Sequence, residues 1–435
     1  MNRKGKIFVG TVLAVIAIVI GIVFVIRKQN KDMLDIEIPV SEQINTQYVR
    51  TSTKSWADRA WLGKMEPEKV TSIHFVRNRP NSIAEKAWVF DGISCYFNNG
   101  AIYLVVGNNL KITGSMNGAF SNLTSLTKID GFDLIDTSYV VDMSNLFKNC
   151  SSLTELDIKD LETDSLVLAK SMFQECSELV ELNLSDVNME NVIDMDMIFS
   201  CCESLDNLYL PKTRDVMSLS RAFERVGKRS SYEACIHGLL ETGECENMSY
   251  MFSESRIDDY SLVESFDTGK LKNVEGMFYN CNLYEADLSE WDTSNIQTTK
   301  NMFWSNAGLQ SCNMDGWDMS SLNNCEGMFY LCTSIREINL GWKNVNNIQN
   351  AAYLFKKCYQ MRSVDVSCFG GIKLGDAREL FSCCERLTTV YGTSILSDVS
   401  DEMFEYCSEL EGAVKYSEML IDGDAANIDG YLTKR

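Results

Sequence analysis

A phenylalanine returns about every 26 residues along most of this chain, and that period restricts the fold more than any other feature. The anchors are Phe120, Phe147, Phe173, Phe199, Phe223, Phe252, Phe278, Phe303, Phe329, Phe355, Phe381 and Phe404, at spacings of 27, 26, 26, 24, 29, 26, 25, 26, 26, 26 and 23. The residue before each anchor is always apolar: Met172, Met251, Met277, Met302, Met328 and Met403, with Leu, Ile or Ala elsewhere. Three residues after the anchor, cysteine recurs at Cys150, Cys176, Cys202, Cys281, Cys332, Cys358, Cys384 and Cys407. A run of the form L-x-x-L-x-L follows, as in Leu153-Leu156-Ile158, Leu179-Leu182-Leu184, Leu205-Leu208-Leu210 and Ile335-Ile338-Leu340.

A unit this short cannot bury its own apolar side, so units must stack and bury Leu, Phe and Cys against the next coil. The alternation that ends each run is the period of a half-buried strand. Before each Phe the pattern loosens to a helical or 3-10 turn. It is opened by short polar residues such as Asp136-Thr137-Ser138 and Asp292-Thr293-Ser294, whose oxygens cap backbone donors. The expected fold is an α/β-type solenoid. It is a leucine-rich-repeat array with a parallel concave sheet and short helical or 3-10 turns on the convex side. The unit from Phe223 to Phe252 is longer and lacks the clean strand pattern, so an excursion or kink is expected there.

Composition narrows the function. Forty-five per cent apolar residues can bury a core, which excludes a disordered acidic polymer. The net charge of −21 repels phosphate backbones, so no nucleic-acid partner is expected. Only His74 and His237 are present, which excludes a multi-histidine metal site and leaves little for His-based catalysis. Residues 7–26 carry no charge, and about 20 apolar residues match a hydrocarbon core of roughly 30 Å. The stretch is too long for a signal-peptide core and runs into Arg27 and Lys28 without a small-residue cleavage pattern, so it reads as an uncleaved signal anchor. Arg3, Lys4 and Lys6 balance Arg27, Lys28 and Lys31, and flanking charge leaves the topology open. The expected organisation is a cytoplasmic stub at 1–6, a single transmembrane span at 7–26 and a stalk at 27–60. A β-rich N-terminal cap at 61–115, about twelve repeats at 116–411 (irregular at 223–251) and a C-terminal cap at 412–435 follow.

The repeats MSNLFKNCSSLTELDI, MFYNCNLYEADLSEWDTSNI and MFEYCSELEG resemble those of the BspA-like leucine-rich-repeat surface proteins of anaerobic bacteria. Residues 70–113 resemble that family's β-rich leader, and 412–433, with NIDGYLT, its closing segment. The pattern departs where Leu123, Val226, Ser255 and Asn306 stand in place of the ladder cysteine. The resemblance implies a cell-surface interaction or adhesion protein with its large domain extracytoplasmic. It carries no ligand and no catalytic residue across.

Candidate sites follow from the strand pattern. The polar residue between the last two apolar strand positions points away from the core, in a column reading Asp130, Asp157, Asn183, Tyr209, then Asp287, Asn313, Asn339, Asp365 and Tyr391. Two residues earlier stand Lys128, Glu155, Glu181, Asn207, Glu285, Ser311, Glu337, Ser363 and Thr389. One reading is an acidic concave groove for a basic or polyhydroxylated partner; the other is a solvated face whose Asn and Asp bond along the stack. A protein or cell-surface partner is the first expectation and a tethered glycan-binding protein the alternative, for which only Tyr209 and Tyr391 offer aromatic platforms. The ladder cysteines are expected to be buried thiols acting as small apolar residues. Cys235 and Cys245, off the ladder, form the candidate disulfide. Cys201-Cys202 and Cys383-Cys384 are each expected to place one thiol inward and one outward. Trp291, Trp317, Trp342 and Phe369 recur at coil spacing and read as packing. No EF-hand loop or dense Asp cluster points to calcium, no nucleophile–base arrangement stands out, and neither a cofactor nor an enzymatic activity is expected.

Overall fold

The computed structural model describes residues 50–51, 56–80, 88–107, 110–230, 233–257 and 259–434. The segment at 7–26, its flanks and most of the 27–60 stretch lie outside the described residues. Among those described, no helix is long and apolar enough to cross a membrane. The sheet begins in the order Trp88–Phe90, Ile93–Asn98, Ala101–Val105, Ser72–Val76, Lys128–Asp130, with the first two pairings antiparallel and the last two parallel. Beyond it the chain winds as a β-solenoid. Strands of two or three residues pair in parallel with the strand one coil on, for example Glu181–Asn183 with Asn207–Tyr209 and Glu337–Asn339 with Ser363–Asp365. A second line of parallel bridges runs on another side of the coils, from Asp142 through Leu168, Asp194 and Ser218 to Asn350 and Asp376.

The helical turns expected at the Phe anchors are not there. Among the described residues no α-helix occurs, and the 3-10 segments, such as Phe132–Leu134 and Ser261–Ser265, avoid the anchors. The residues two before and two after every anchor Phe have positive φ, as Asn145 and Asn149 flank Phe147 and Tyr353 and Lys357 flank Phe355. Such residues leave the right-handed well, so a helix cannot propagate through them. Their N–H groups, with that of Phe itself, turn toward the neighbouring coil. Asn145, Phe147 and Asn149 donate to the carbonyls of Lys170, Met172 and Gln174 at 2.8, 2.9 and 2.7 Å. Intervening N–H groups close back three residues, as Cys150 does onto Phe147 at 3.1 Å. That local i→i+3 bond gives the sequence its helix-like signature.

The anchor rings form one continuous stack from Phe120 to Phe404, with centroid steps such as 5.8 Å at 11° for Phe147–Phe173 and 5.6 Å at 4° for Phe355–Phe381. Offset stacking at such distances is favourable for buried rings. Trp61 meets the first ring edge-on at 5.4 Å, and Tyr431 meets the last at 5.2 Å. The backbone is closed at the same two places. Trp61 Nε1 donates to the Ala119 carbonyl at 3.2 Å, in the place a preceding coil's Phe N–H would occupy. At the far end, Phe404 N–H donates to the Ile421 carbonyl (2.7 Å), Glu402 N–H to Asp422 Oδ1 (2.7 Å) and Tyr406 N–H to the Tyr416 hydroxyl (3.1 Å).

The ladder cysteines do more than fill space. Each thiol donates to the carbonyl of the preceding coil's Phe, as Cys150 to Phe120 (3.1 Å), Cys176 to Phe147 (3.2 Å) and Cys332 to Phe303 (3.1 Å). Burial pushes these thiols up, to about 12 for Cys150 and Cys281, so they remain protonated donors. Two of the four exceptions have reasons. Leu123 belongs to the first coil, which has no earlier Phe carbonyl to serve. Asn306 serves it with an amide, Nδ2 donating to Phe278 O at 2.5 Å, but its buried Oδ1 is left without a partner. Asn306→Cys should therefore stabilise the protein by about 1 kcal/mol, since an unmet buried acceptor costs about 1–3 kcal/mol. Urea denaturation checks this, and an unchanged or lower midpoint would count against the thiol–carbonyl account.

The longer unit from Phe223 to Phe252 carries its extra residues ahead of its strand, and 231–232 lie outside the described residues. The unit after Phe223 keeps a strand, Cys235–His237, paired in register with Asn207–Tyr209. The break comes one coil later, where Ser261–Ser265 forms a 3-10 turn instead of a strand. Among the described residues Cys235–His237 and Glu285–Asp287, which flank that coil, are each strand-paired on one side only, with a single bridge from Ala234 to Ile257. The ladder lapses likewise between Lys128–Asp130 and Glu155–Leu156 and between Ser311–Asn313 and Glu337–Asn339.

Candidate functional site

The strand face carries the two polar columns where the sequence places them, but the columns do different work. In the first, six of the nine side chains turn back onto the backbone two residues ahead. Asp157, Asn183, Asp287, Asn313, Asn339 and Asp365 accept the N–H groups of Lys159, Ser185, Ser289, Asp315, Gly341 and Ser367 at 2.9–3.2 Å. These are Asx turns that end each strand, and they account for the Asp/Asn preference without a ligand. Asn313 Nδ2 also donates to Asp287 Oδ1 at 3.1 Å, tying adjacent coils. In the second column Glu155, Glu181, Glu285 and Glu337 are exposed, and none forms an ion pair among the described residues. These glutamates form a row of charges available to a partner, and Asp287 of the first column is likewise without an ion pair among the described residues.

The Asp287 carboxyl is held below the ordinary aspartate value by the hydroxyl and N–H of Ser289 and by Asn313. A depressed folded value contributes stability that is present above the unfolded value near 3.9 and lost as pH falls through the folded one. Asp287→Asn, which keeps the acceptor oxygen and adds a residue used at this column elsewhere, removes that dependence. The stability advantage of the parent over the variant should shrink as pH falls from about 5 to about 2. Urea titrations across that range measure it, and a constant difference would contradict the assignment.

Both histidines lie on the same outward face. His74 Nδ1 bonds Asp130 Oδ1 at 2.8 Å, Nε2 bonds Ser72 Oγ at 2.9 Å, and the ring stacks on Tyr103 at 4.8 Å. Asp130 also pairs with Lys128 at 3.0 Å. Tyr209 is stacked on His237 at 4.5 Å, so one of its faces is covered. Tyr391 aligns with Asp365 and Thr433. The expected Cys235–Cys245 bridge is not formed. Cys245 is a buried thiol donating to the Asn247 carbonyl at 3.5 Å, whereas Cys235 stands on the outward column beside Asn207. Cys202 and Cys384 point inward and donate to Phe carbonyls; Cys201 and Cys383, at left-handed positions, are half-buried.

Aromatic rows elsewhere are packing. Trp291 and Trp317 are buried and stacked at 6.3 Å, with indole N–H groups bonded to Val263 and Leu288 carbonyls. A row the sequence reading missed runs Tyr279, Trp304, Tyr330 one residue after the anchors, stacked at 6.2 and 4.0 Å. Gly327 lies beneath it, where a Cβ would stand 3.0 Å from the Trp304 ring. The recurrence of an aromatic at that position in three successive units was the available signal. The ring faces are turned to one another and to Lys357, which leaves only edges for a sugar. Glu379, Glu402 and Glu405 bring carboxylate oxygens within 4.8 Å, but Lys356 already pairs with Glu379.

Where the sheet breaks there is a cleft of about 250 Å³. Its walls include Tyr260, Asn282, Tyr284 and the strand Glu285–Asp287, and it is ringed by Glu233, Asp259, Glu264, Glu285 and Asp287 with no Lys or Arg among its lining residues. Its floor is a fixed polar network: Tyr260 OH donates to Asn282 Oδ1 at 2.9 Å, and Asn282 Nδ2 donates to Glu233 Oε1 at 2.6 Å.

The stacked coils, their Leu and Phe rows and the parallel strand face define a leucine-rich-repeat type of β-solenoid. The chain belongs to the family described as "Mycoplasma protein of unknown function, DUF285", whose model matches residues 114–234 and 246–369. This agrees with the BspA-like resemblance of its repeats. Among solved structures, a leucine rich cell surface protein from Faecalibacterium prausnitzii is similar at 14% identity, with 75% of this chain and 87% of that chain covered and a TM-score of 0.30. A leucine-rich repeat protein from Eubacterium ventriosum is similar at 12% identity, with 72% and 85% covered and a TM-score of 0.32. At those scores neither bears on what this chain binds. No curated protein matches the sequence.

Proposed function

We propose that the protein is a cell-surface interaction module, held at the membrane by the apolar segment at 7–26, that binds a basic protein partner through its strand face. The observation that carries this reading is the exposed column Glu155, Glu181, Glu285 and Glu337, which neither caps the backbone nor pairs with a cation. Aligned charges of one sign steer an oppositely charged surface and fix its register. Binding rather than catalysis is the role such a face supports. A protein array probed with the soluble repeat domain identifies the partner. Glu181→Lys with Glu337→Lys should then weaken binding about tenfold or more and flatten its salt dependence. Glu385→Lys with Glu409→Lys, on exposed turns, is the matched control. Equal loss from the control pair, or no loss from the column pair, would remove the strand face as the site.

A further inference from the structure

We propose that the cleft at the sheet break receives a lysine or arginine side chain from an extended segment of the partner, while that segment's backbone adds as a strand along Glu285–Asp287. The proposal rests on the reading of the strand face as a protein-binding surface and names the place where specificity is read.

Three observations combine. Among the described residues Glu285–Asp287 pairs with Ser311–Asn313 on one side only, and the coil before it supplies the 3-10 turn Ser261–Ser265. An edge strand leaves main-chain donors and acceptors available, and extended peptides bind by completing such an edge. The cleft lies directly against this strand, since Glu285, Ala286 and Asp287 are among its walls. A side chain from an added strand can therefore enter it. Finally, the lining selects the occupant. Glu233, Asp259, Glu264, Glu285 and Asp287 surround the cleft, and none forms an ion pair among the described residues. A carboxylate side chain is repelled there and an apolar one leaves the charges unanswered, whereas an ammonium or guanidinium meets several acceptors at once. Tyr284, which is 63% exposed at the rim, offers a ring face to the aliphatic stem of that side chain.

The test uses the repeat domain in the full chain and a fluorescent octapeptide of alternating Lys and Thr, which suits an added strand. A second peptide carries N-methyl groups on alternate residues, which block strand pairing, and a third replaces Lys by Glu. The Lys–Thr peptide should bind, the N-methylated one should bind at least tenfold more weakly, and the Glu peptide should not bind. Glu264→Lys, an exposed substitution at the cleft, should weaken the Lys–Thr peptide about tenfold, while Glu385→Lys, on an exposed turn outside the cleft and the glutamate column, should leave it within about twofold. Binding of the peptide should also slow amide exchange at Glu285 and Asp287. Equal binding of the N-methylated peptide, or equal loss from Glu264→Lys and Glu385→Lys, would overturn the cleft while leaving the strand-face reading intact. If the array partner is itself indifferent to Glu181→Lys with Glu337→Lys, the wider reading falls separately.

Discussion

Phe303→Ala should lower the stability of the repeat array by about 3–5 kcal/mol, the range for deleting a fully buried aromatic ring. The site is severe because the ring is stacked on both sides, on Phe278 at 5.5 Å and Phe329 at 5.3 Å, and no exposed surface lets the cavity fill. Coils in a solenoid contact only their neighbours, so the loss falls on the two joints that Phe303 makes. Denaturation should turn from one transition toward two, the coils on either side of the gap melting apart. A loss below about 1 kcal/mol, with a single sharp transition, would show that the ring stack is not what couples the coils.

Trp61→Ala should cost a comparable 3–5 kcal/mol but from one end. It removes a buried indole that both covers the Phe120 ring and satisfies the Ala119 carbonyl. Hydrogen exchange should then show protection lost first in the coils anchored by Phe120 and Phe147, while those near Phe381 keep theirs. Trp61→Phe separates the two contributions, since it restores ring contact without the donor. Uniform loss of protection along the array would contradict an end-localised role.

Much of this was legible in the sequence because burial is periodic. The Phe and Cys anchors, the Leu rows and the strand columns all follow from one apolar period, and the residues found there are buried or exposed as that period requires. Backbone conformation was not legible, because the left-handed positions beside the anchors are held by residues with no such preference of their own. Arg221 and Arg225, Glu379 and Cys383, and Tyr353 and Lys357 adopt it under the demands of the stack, where their N–H groups find the next coil. A 3-10 helix and this turn share the i→i+3 closure, so the side-chain spacing could not separate them. The Asp/Asn column left two readings open in the sequence, a groove for a partner and side chains bonded within the stack. The structure shows the bonds of the second, because Asp and Asn are the residues that fold back onto a nearby N–H. The strand at Cys235–His237 was concealed by the insertion before it, whereas the 3-10 turn Ser261–Ser265 was concealed by Ile257, Tyr260 and Leu262, which keep the apolar spacing of a strand run.

The backbone bonds from each anchor Phe and its two left-handed flanks run one way, donating N–H groups to the coil that follows, while the ladder thiols and some of the strand bonds donate back to the coil before. At its anchor turns the array is therefore polar, with carbonyl acceptors facing out at the first coil and N–H donors at the last. Stripped of Trp61 and of the segment bearing Tyr416, Ile421 and Asp422, those ends are complementary, and the last coil of one molecule matches the first coil of another. A head-to-tail joint of that kind does not close on itself and grows into a filament. The two end segments thus act as chain terminators as well as stabilisers, and they are what makes a template capable of unlimited growth into a molecule of fixed length.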